Sequence, residues 1–480
     1  MKIVLITLPL SLGGRYTEFG GVQYPINIGY LASYLIKYGY DVEMWDYNVE
    51  LFTEKGFADR VQKSNAEVIG IHSKTPTILI ADRFAKIIKR VSKNIVVVVG
   101  GPHCSALPAR TLKEFSQFDV CVFGEGEETL LELCEKIKNN LSLEGTFGIA
   151  YKVKEGFKRR IIVESRRPLI RNLDDLPFPN RDLISQDKYR KAHVERGIPR
   201  NVWNVAEIMV SRGCPFKCVY CAGSLNYDRV VRFRSAKNVL KEIEECIDKY
   251  GTDYVNINDD TLTLKKDLLY ELCDGLKRFG IKWGCLTRVD VVTREMLKRM
   301  VDSGCIRINF GIESGSQRIL DLTKKNITIE QIKKVFRYAD EAGLKIKDCG
   351  FMVGQHPDET KEDIKATLKL MKEINPTYAS VTITVPFPGT ELNSMMKERG
   401  YLNKNENWEN FVMFGKKPVW RTKDFSSDDL VRIQKWVIRR YYFRPGYIIP
   451  TLIRIRSFNE IKYFMDVGIY FLKNIILNRG

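Results

Sequence analysis

Two long blocks of this chain alternate strand-like apolar runs with helical patterns. In residues 1–140, runs such as Val68–His72 alternate with amphipathic patterns such as Ile78–Val91. From about residue 204 the alternation resumes, with six strand-like runs between 208–211 and 380–385. Strands that are regularly separated by helices predict parallel sheets, with ligand sites at the carboxyl ends of the strands. The chain is therefore expected to be an α/β protein with two sheets.

The alternation divides the chain into four predicted regions. The first has the pattern of a Rossmann-like domain, and the second combines a predicted β-hairpin around Glu155-Gly156 with a Pro-rich linker. The third predicts a partial or complete βα barrel of TIM type, in which Thr328 and Gln331 form a capping box that starts one helix. The fourth is a basic, aromatic, helical extension. The predicted boundaries are 1–145, 146–202, 203–400 and 401–480.

Composition limits the class of protein. A chain of 480 residues with 44% hydrophobic content is expected to fold into two or three domains. Its first ten residues lack a signal-peptide pattern, and no apolar run reaches the ~18 residues that a membrane-spanning helix needs. These features predict a cytoplasmic protein whose eleven cysteines are mostly reduced.

Three cysteines, Cys214, Cys218 and Cys221, lie in one short loop after the first strand of the second block. Closely spaced thiolates suit iron–sulfur clusters or zinc, and a four-iron cluster normally takes one cysteine per iron. The loop is one ligand short, so either another cysteine completes the set or one iron stays open for a small molecule. Zinc is less suited, because the four histidines of the chain lie outside finger-like spacing. A redox pair of Cys218 and Cys221 would leave Cys214 unexplained.

The spacing Cys-x3-Cys-x2-Cys, with Tyr220 before the last cysteine, closely resembles the radical S-adenosylmethionine (radical SAM) superfamily. In that family three cysteines hold a 4Fe-4S cluster, and the open iron is chelated by the amino and carboxylate groups of SAM. Reduction cleaves SAM to methionine and a 5′-deoxyadenosyl radical, which abstracts a hydrogen atom. The resemblance implies that Cys214, Cys218 and Cys221 are the cluster ligands.

Four later segments follow the same family pattern along the barrel. Each is common enough at strand ends to be structural when taken alone. The resemblance implies cofactor contacts from Tyr220, Asp259, Arg288, Glu313 and Ser314. The matching segments are Asn258-Asp259-Asp260-Thr261, Asn309-Phe310-Gly311-Ile312-Glu313-Ser314-Gly315, Gly350-Phe351-Met352-Val353-Gly354 and Pro386-Phe387-Pro388-Gly389-Thr390.

The first block resembles the cobalamin-binding domain that is fused to a subset of radical SAM enzymes. The resemblance lies in Tyr24-Pro25 and in two glycine-rich turns, whose backbone amides can approach a bulky anionic ligand closely. The alternative is an empty Rossmann scaffold. The turns provide the candidate cobalamin contacts Gly100, Gly101, Pro102, Gly124, Glu125 and Gly126.

The Asp-x-His-x-x-Gly motif, which supplies histidine to cobalt in other cobalamin proteins, is absent. His72 and His103 are interpreted as loop or turn residues. Cobalamin is therefore expected to lack a histidine ligand, as is common in the fused subset. A free lower face suits methyl transfer.

A net charge of +18 favours an acidic partner, although a generally basic surface explains it equally well. Arginines alternate with aromatic residues between Arg432 and Arg456, and residues 461–477 are mostly apolar. Basic segments with interspersed aromatic and apolar residues often bind at the membrane interface. This segment therefore predicts peripheral contact with the inner face of the membrane. The alternative is a helical cap that closes the barrel. Charge alone gives little support for nucleic acid, because no binding module is recognised.

These features lead to three functional hypotheses. The first is cobalamin-dependent methylation of an unactivated carbon on an apolar or lipid-like small molecule, with a ferredoxin or flavodoxin as electron donor. The second keeps the radical chemistry but performs cyclisation, ring contraction or carbon–carbon bond formation without methyl transfer. The third is a binding or regulatory protein with a structural cluster, whose extra ligand would be Cys246, Cys285, Cys305 or Cys349.

Overall fold

A computed structural model of the chain describes residues 1–10, 22–155, 158–192, 203–403, 407–413 and 418–454, together with 461 and 465. Most of the apolar segment 461–477, and Arg456 before it, therefore lie outside the described residues. The described residues form two large sheets and a two-stranded ribbon. This architecture confirms the predicted α/β fold.

The first sheet has seven strands in the order β2-β1-β3-β4-β5-β6-β7. Strands β1 to β5 are parallel and rich in valine and isoleucine, as expected for strands that are covered by helices on both faces. The elements are β1 (Lys2–Thr7), α1 (Ile26–Lys37), β2 (Asp41–Asp46), α2 (Glu54–Ser64), β3 (Val68–His72), α3 (Ile78–Val91), β4 (Val96–Gly100), α4 (Pro102–Ala106), α5 (Pro108–Glu114), β5 (Val120–Val122), α6 (Glu127–Lys138), β6 (Ile149–Glu155) and β7 (Lys158–Val163).

The predicted hairpin around residue 155 forms as β6 and β7. Strand β6 pairs antiparallel with β5, so the hairpin extends the first sheet at its edge. The sequence-based boundary at residue 146 separated this hairpin from the first domain, whereas in the structure it belongs to the same sheet. After β7, the described residues 164–192 include two short 3-10 turns, Leu173–Asp175 and Arg181–Leu183.

The second sheet has six parallel strands in the order β15-β14-β13-β12-β11-β8. Strands β8 and β15 are its two edges, so the sheet is a partial barrel. The elements are α7 (Gln186–Ala192), β8 (Val205–Ile208), β9 (Ser211–Arg212), α8 (Ser224–Tyr227), β10 (Arg232–Phe233), α9 (Ala236–Tyr250), β11 (Tyr254–Ile257), α10 (Lys266–Phe279), β12 (Lys282–Thr287), α11 (Arg294–Asp302), β13 (Cys305–Glu313), α12 (Gln317–Leu322), α13 (Ile329–Glu341), β14 (Ile346–Val353), α14 (Lys361–Ile374), β15 (Tyr378–Ile383) and α15 (Glu391–Glu398).

Local sequence signals explain several of these elements. The Thr328 hydroxyl accepts a hydrogen bond from the Gln331 amide at 3.1 Å, and the Gln331 side chain accepts one from the Thr328 amide at 2.8 Å. This reciprocal arrangement is the predicted capping box, and it satisfies two backbone donors at the start of α13.

The C-terminal region adds α16 (Ser427–Tyr442) and α17 (Pro445–Arg454). Helix α16 covers the edge strand β15: Gln434 Nε2 donates to the Val381 carbonyl at 2.8 Å. The Tyr442 hydroxyl accepts from the Ala379 amide and donates to the Ala379 carbonyl, both at 2.9 Å. Side chains of α16 thus satisfy backbone groups that an edge strand would leave unpaired. Within the described part of the chain, no helix is both long enough and apolar enough to cross a bilayer.

Candidate cofactor sites

The cysteine loop begins at the short strand β9, which directly follows β8 and pairs antiparallel with β10. Gly213 connects β9 to Cys214 with a φ of +99°. A Cβ atom at this position would lie 2.1 Å from the Val230 carbonyl oxygen. Only glycine fits there, because the backbone needs both a positive φ and close approach to a neighbouring chain.

The three loop cysteines are free thiols, and they are more accessible than the other eight cysteines, all of which are buried. Burial raises the pKa of the Cys214 thiol above its usual value and that of Cys221 to about 11. Because iron binds the thiolate, loading of a cluster must release these protons. Among the described residues, no three His, Cys, Asp or Glu side chains converge as ligands of one ion, whereas a cluster needs only one thiolate at each iron.

Asp259 is buried behind the start of the cysteine loop. Its carboxylate accepts hydrogen bonds from the Val210 amide at 2.8 Å and from the Ser211 hydroxyl at 2.5 Å. Burial raises its pKa to about 6. Asp259 therefore fixes the segment that leads from β8 to the loop, and its predicted contact with a cofactor stays a prediction.

Glu313 and Arg288 are linked through Lys325 beside the loop. Glu313 ends β13 with a φ of +72°, a conformation that is strained for a residue with a side chain. Its Oε1 lies 3.1 Å from Lys325 Nζ, and Arg288 Nη2 donates to the Lys325 carbonyl at 2.6 Å. The Arg288 guanidinium also stacks 3.5 Å from the Phe216 ring centre, with Nη1 3.8 Å from Cys218 Sγ. The ends of two barrel strands are thereby joined to the cysteine loop.

Two buried polar atoms near Glu313 have no hydrogen-bond partner among the described residues. One is the Tyr220 hydroxyl, whose pKa is raised mainly by burial and next by the negative charge of Glu313. The other is Gln355 Oε1, while Nε2 of the same side chain donates to the Glu313 carbonyl at 2.9 Å. Orphaned buried polar atoms beside a strained glutamate fit a polar ligand. Gln355 directly follows the Gly350–Gly354 segment but is not part of it, so the sequence pattern did not indicate this residue.

Ser314 is fully buried and contacts Thr367 on α14 and Ser316, which directly precedes α12. Its hydroxyl lies 3.2 Å from the Thr367 hydroxyl and accepts from the Ser316 amide at 3.1 Å. These contacts hold the chain after β13 against α14. The predicted contact of Ser314 with SAM stays a prediction.

A cavity of about 320 Å³ lies between the two sheets. It is bounded on one side by the glycine-rich turns of the first domain and on the other by the segments that flank the cysteine loop. Gly101 takes a φ of +111°, and a Cβ there would lie 2.5 Å from the Ser73 carbonyl and 2.9 Å from the His72 ring. The cavity is lined by the predicted residues Gly100, Gly101, Pro102, Gly124, Glu125 and Gly126, and by Met209, Ser211, Arg212, Gly213, Tyr227, Asn258 and Asp260.

The two histidines of the first domain lie in different surroundings. His72 ends β3 and lines the cavity, and burial lowers its pKa to about 4, which keeps the imidazole neutral. His103 is buried, with Nδ1 3.3 Å from the Thr75 hydroxyl and its ring packed edge-on against Trp408. Only His72 of these two residues faces the cavity.

Glu125 does more than line the cavity. It accepts from Arg212 Nη1 at 2.9 Å and from Arg232 Nη1 at 2.7 Å, and it also accepts from the Ile170 amide. Burial opposes ionisation, but hydrogen bonds and charge from the two arginines lower the pKa of Glu125 below its usual value. Arg212 and Arg232 belong to no motif, so sequence reasoning did not find them.

Comparison with known protein families agrees with this geometry. Residues 208–371 match the radical SAM superfamily, and residues 15–134 match the B12 binding domain. The first match includes the cysteine loop and the second includes both glycine turns.

Curated relatives match almost the whole chain. An uncharacterized methyltransferase of Pyrococcus horikoshii is 33% identical over 460 residues, which cover 95% of this chain and 96% of the relative. A second relative is an anaerobic magnesium-protoporphyrin IX monomethyl ester cyclase of Rubrivivax gelatinosus. It is 29% identical, and the match covers 99% of this chain and 83% of the cyclase. Among solved structures, the cobalamin-dependent SAM radical enzyme OxsB has a TM-score of 0.75 at 19% identity. The match covers 98% of this chain and 71% of the OxsB chain, which shows a shared fold.

The chain belongs to the radical SAM superfamily. It is an enzyme of the type that carries an N-terminal B12-binding domain, and its cofactors are a 4Fe-4S cluster, SAM and cobalamin.

Proposed function

We propose that the protein methylates an unactivated carbon of an apolar small molecule. The observation that carries this proposal is the cavity between the two sheets, which is lined by the glycine turns of the B12-binding domain and by residues that flank the cysteine loop. When bound, the cluster and SAM supply a 5′-deoxyadenosyl radical and cobalamin supplies a methyl group. A substrate in this cavity would be within reach of both.

Each residue of the site has a proposed role. Cys214, Cys218 and Cys221 hold the cluster by one thiolate each, which leaves one iron open to SAM. Tyr220 and Glu313 orient SAM, which the orphaned Tyr220 hydroxyl and the strained Glu313 backbone support.

Three further side chains support that site. Arg288 lies near Cys218 and lends positive charge to the cluster. Asp259 holds the start of the cysteine loop, and Ser314 holds the chain behind Glu313. We propose that the cavity-lining residues Gly100, Gly101, Pro102, Gly124 and Gly126 form the surface that faces cobalamin.

The decisive experiment is anaerobic reconstitution followed by product analysis with SAM and a strong reductant. We expect four iron atoms and one cobalamin per chain, and formation of S-adenosylhomocysteine together with 5′-deoxyadenosine. Cys218→Ala should lose the cluster and both products. Cys246→Ala is the matched control, because Cys246 is buried in α9 and was a candidate fourth ligand. If Cys246→Ala also lost the cluster, a structural four-cysteine site would replace this proposal.

Radical cyclisation without methyl transfer is the second candidate function. It is favoured by the similarity to the Rubrivivax gelatinosus cyclase along nearly the whole chain. The two functions differ in one product, because a cyclase would give 5′-deoxyadenosine without S-adenosylhomocysteine. In either case a low-potential donor such as a ferredoxin or flavodoxin is the proposed source of electrons.

We further propose peripheral contact with the inner face of a membrane, which would suit a lipid-like substrate. Helix α17 exposes the apolar residues Ile448, Ile449, Leu452 and Ile453. On α16 and at its C-cap residue Phe443, the exposed residues Trp436, Arg439, Arg440 and Phe443 follow helical spacing along one face. Residues 430–454 contain six basic side chains and no acidic one, as expected for a surface that binds anionic lipid.

Vesicle sedimentation tests this contact. Vesicles with phosphatidylglycerol should bind the protein, and the double variant Ile449→Ser/Leu452→Ser should bind several-fold less. Leu51→Ser is the matched control, because Leu51 is an exposed apolar residue of the first domain, at 89% exposure. Equal loss of binding in Leu51→Ser would contradict a localised contact.

A further inference from the structure

We propose that Glu125 and Glu127 are positioning residues, which fix the cysteine loop relative to the cobalamin domain. Both carboxylates belong to the first domain, at the start of α6, and both bind arginines of the second domain. The proposal rests on the proposed function, because it concerns the distance between the two loaded cofactors. It assigns Glu125 a role that differs from its predicted contact with cobalamin.

The contacts converge on the two strands that carry the loop. Arg212 lies on β9, two residues before Cys214, and its Nη1 and Nη2 donate to Glu125 at 2.9 Å and to Glu127 at 2.6 Å. Arg232 lies opposite Arg212 on β10 and donates to both oxygens of Glu125, at 2.7 and 3.0 Å. A guanidinium that binds both oxygens of a carboxylate fixes orientation as well as distance. The first domain therefore holds the β9–β10 ribbon from which the loop emerges.

Burial makes this arrangement hard to replace. All four side chains are less than one-tenth exposed, and their two negative and two positive charges balance. Removal of one partner from such a group leaves an uncompensated buried charge, which is strongly unfavourable. Small displacements of the ribbon are penalised for the same reason, since they lengthen several buried ion pairs together.

The same run of residues also forms a wall of the cavity. Gly124 and Gly126 flank Glu125 and line the cavity, as do Arg212 and Gly213 on the other side. Movement of the ribbon would therefore move the cysteine loop and the cavity wall together. The four charged residues act as one unit that sets the separation between the cluster and the cobalamin.

Electron paramagnetic resonance can measure this separation without relying on turnover. The cob(II)alamin form and the one-electron-reduced cluster each carry an unpaired spin, and their dipolar interaction depends steeply on distance. In the wild-type protein we expect one well-defined dipolar splitting of the cob(II)alamin signal. In Glu125→Gln, loaded with both cofactors, we expect this splitting to broaden or disappear.

Asp348→Asn is the matched control. Asp348 is also buried, and it accepts hydrogen bonds from Arg307 Nη2 at 2.7 Å and Asn309 Nδ2 at 3.1 Å, but all three residues lie on β13 and β14 of the second sheet. This variant should lower the unfolding temperature and keep the wild-type splitting. The double variant Glu125→Gln/Arg232→Met restores the balance of buried charge, so it replaces Glu125→Gln in the experiment if that variant does not fold. The double variant should lose the splitting as well.

The outcomes separate this proposal from the proposed function. Loss of the splitting in the Glu125 variants, with retention in Asp348→Asn, supports the positioning role. An unchanged splitting in a Glu125 variant that holds both cofactors overturns the positioning role alone. A wild-type protein that takes up no cobalamin overturns both proposals.

Discussion

The Tyr220 hydroxyl is a buried polar group that the described protein atoms leave without a partner. Tyr220→Phe should therefore leave the unfolding temperature unchanged or slightly raised, because an unsatisfied buried hydroxyl is removed. If this hydroxyl binds SAM, the affinity of the variant for SAM should fall about 2- to 10-fold, because that change corresponds to the net free energy of one hydrogen bond. Equilibrium binding of SAM to the reconstituted protein measures this change.

Tyr441→Phe is the control for that measurement. The Tyr441 hydroxyl donates to the Pro376 carbonyl at 2.6 Å, far along the chain from the cysteine loop. Its removal should lower the stability by about 1 kcal/mol and leave SAM affinity unchanged. Equal SAM affinity in all three proteins would show that Tyr220 makes no hydrogen bond to SAM.

Glu359 makes the stability depend on pH. Burial raises its pKa from 4.5 to about 8, with a smaller effect in the same direction from Asp363. The unfolded chain therefore loses this proton at a lower pH than the folded protein, so the free energy of unfolding should fall between about pH 4.5 and 8. Glu359→Gln keeps an acceptor for the Gly354 amide and cannot ionise, so its unfolding temperature should fall less over this range. Parallel curves for the two proteins in thermal unfolding would contradict the assignment.

At the scale of elements, the β9 strand and the loop after it depend on one glycine. Gly213→Ala would bring a Cβ to 2.1 Å from the Val230 carbonyl at a positive φ. The loop must shift, so iron content after reconstitution should drop strongly and stability should fall by about 1–3 kcal/mol. Gly343→Ala is the matched control, because its φ of +77° carries similar strain while no atom lies within 4 Å of the added Cβ. It should be destabilised yet retain its iron.

Sequence periodicity predicted most elements, because strands of the first sheet are continuous apolar runs and helices such as α13 have a clear apolar face and cap. Helix α2 was missed, since it is mostly polar and buries only Phe57, Val61 and Ser64. The hairpin β6–β7 was predicted, but its pairing with β5 was not, because strand pairing depends on contacts that a local pattern does not encode.

The candidate site divides in the same way. The three cysteines and the segment around Glu313 carry local motifs, so sequence alone predicts them as site residues. The ion pairs of Glu125 join residues 87 and 107 positions apart and depend on how the two sheets pack. Gln355 likewise became visible only when its unpaired oxygen was located beside Glu313. Non-local pairing is therefore what sequence reasoning lacked here.

At the scale of the whole molecule, salt should separate two kinds of electrostatic contact. The ion pairs between the domains are buried, whereas Arg440 and its neighbours on α16 are exposed. The screening length falls from about 10 Å at 0.1 M to about 3 Å at 1 M salt, which weakens exposed contacts far more than buried ones. Vesicle binding should therefore fall several-fold over this range while the unfolding temperature changes little. A parallel loss of both would contradict the buried character of the domain interface.

The cover that α16 provides for β15 also has a consequence for biosynthesis. A ribosome delivers β15 before α16, so the last strand of the barrel emerges with its outer backbone groups unpaired until residues 427–442 follow. During that interval the nascent chain presents a strand edge that can pair with another chain. Completion of α16 thus ends a period of aggregation risk during translation, and chains released before α16 is made would keep that risk permanently.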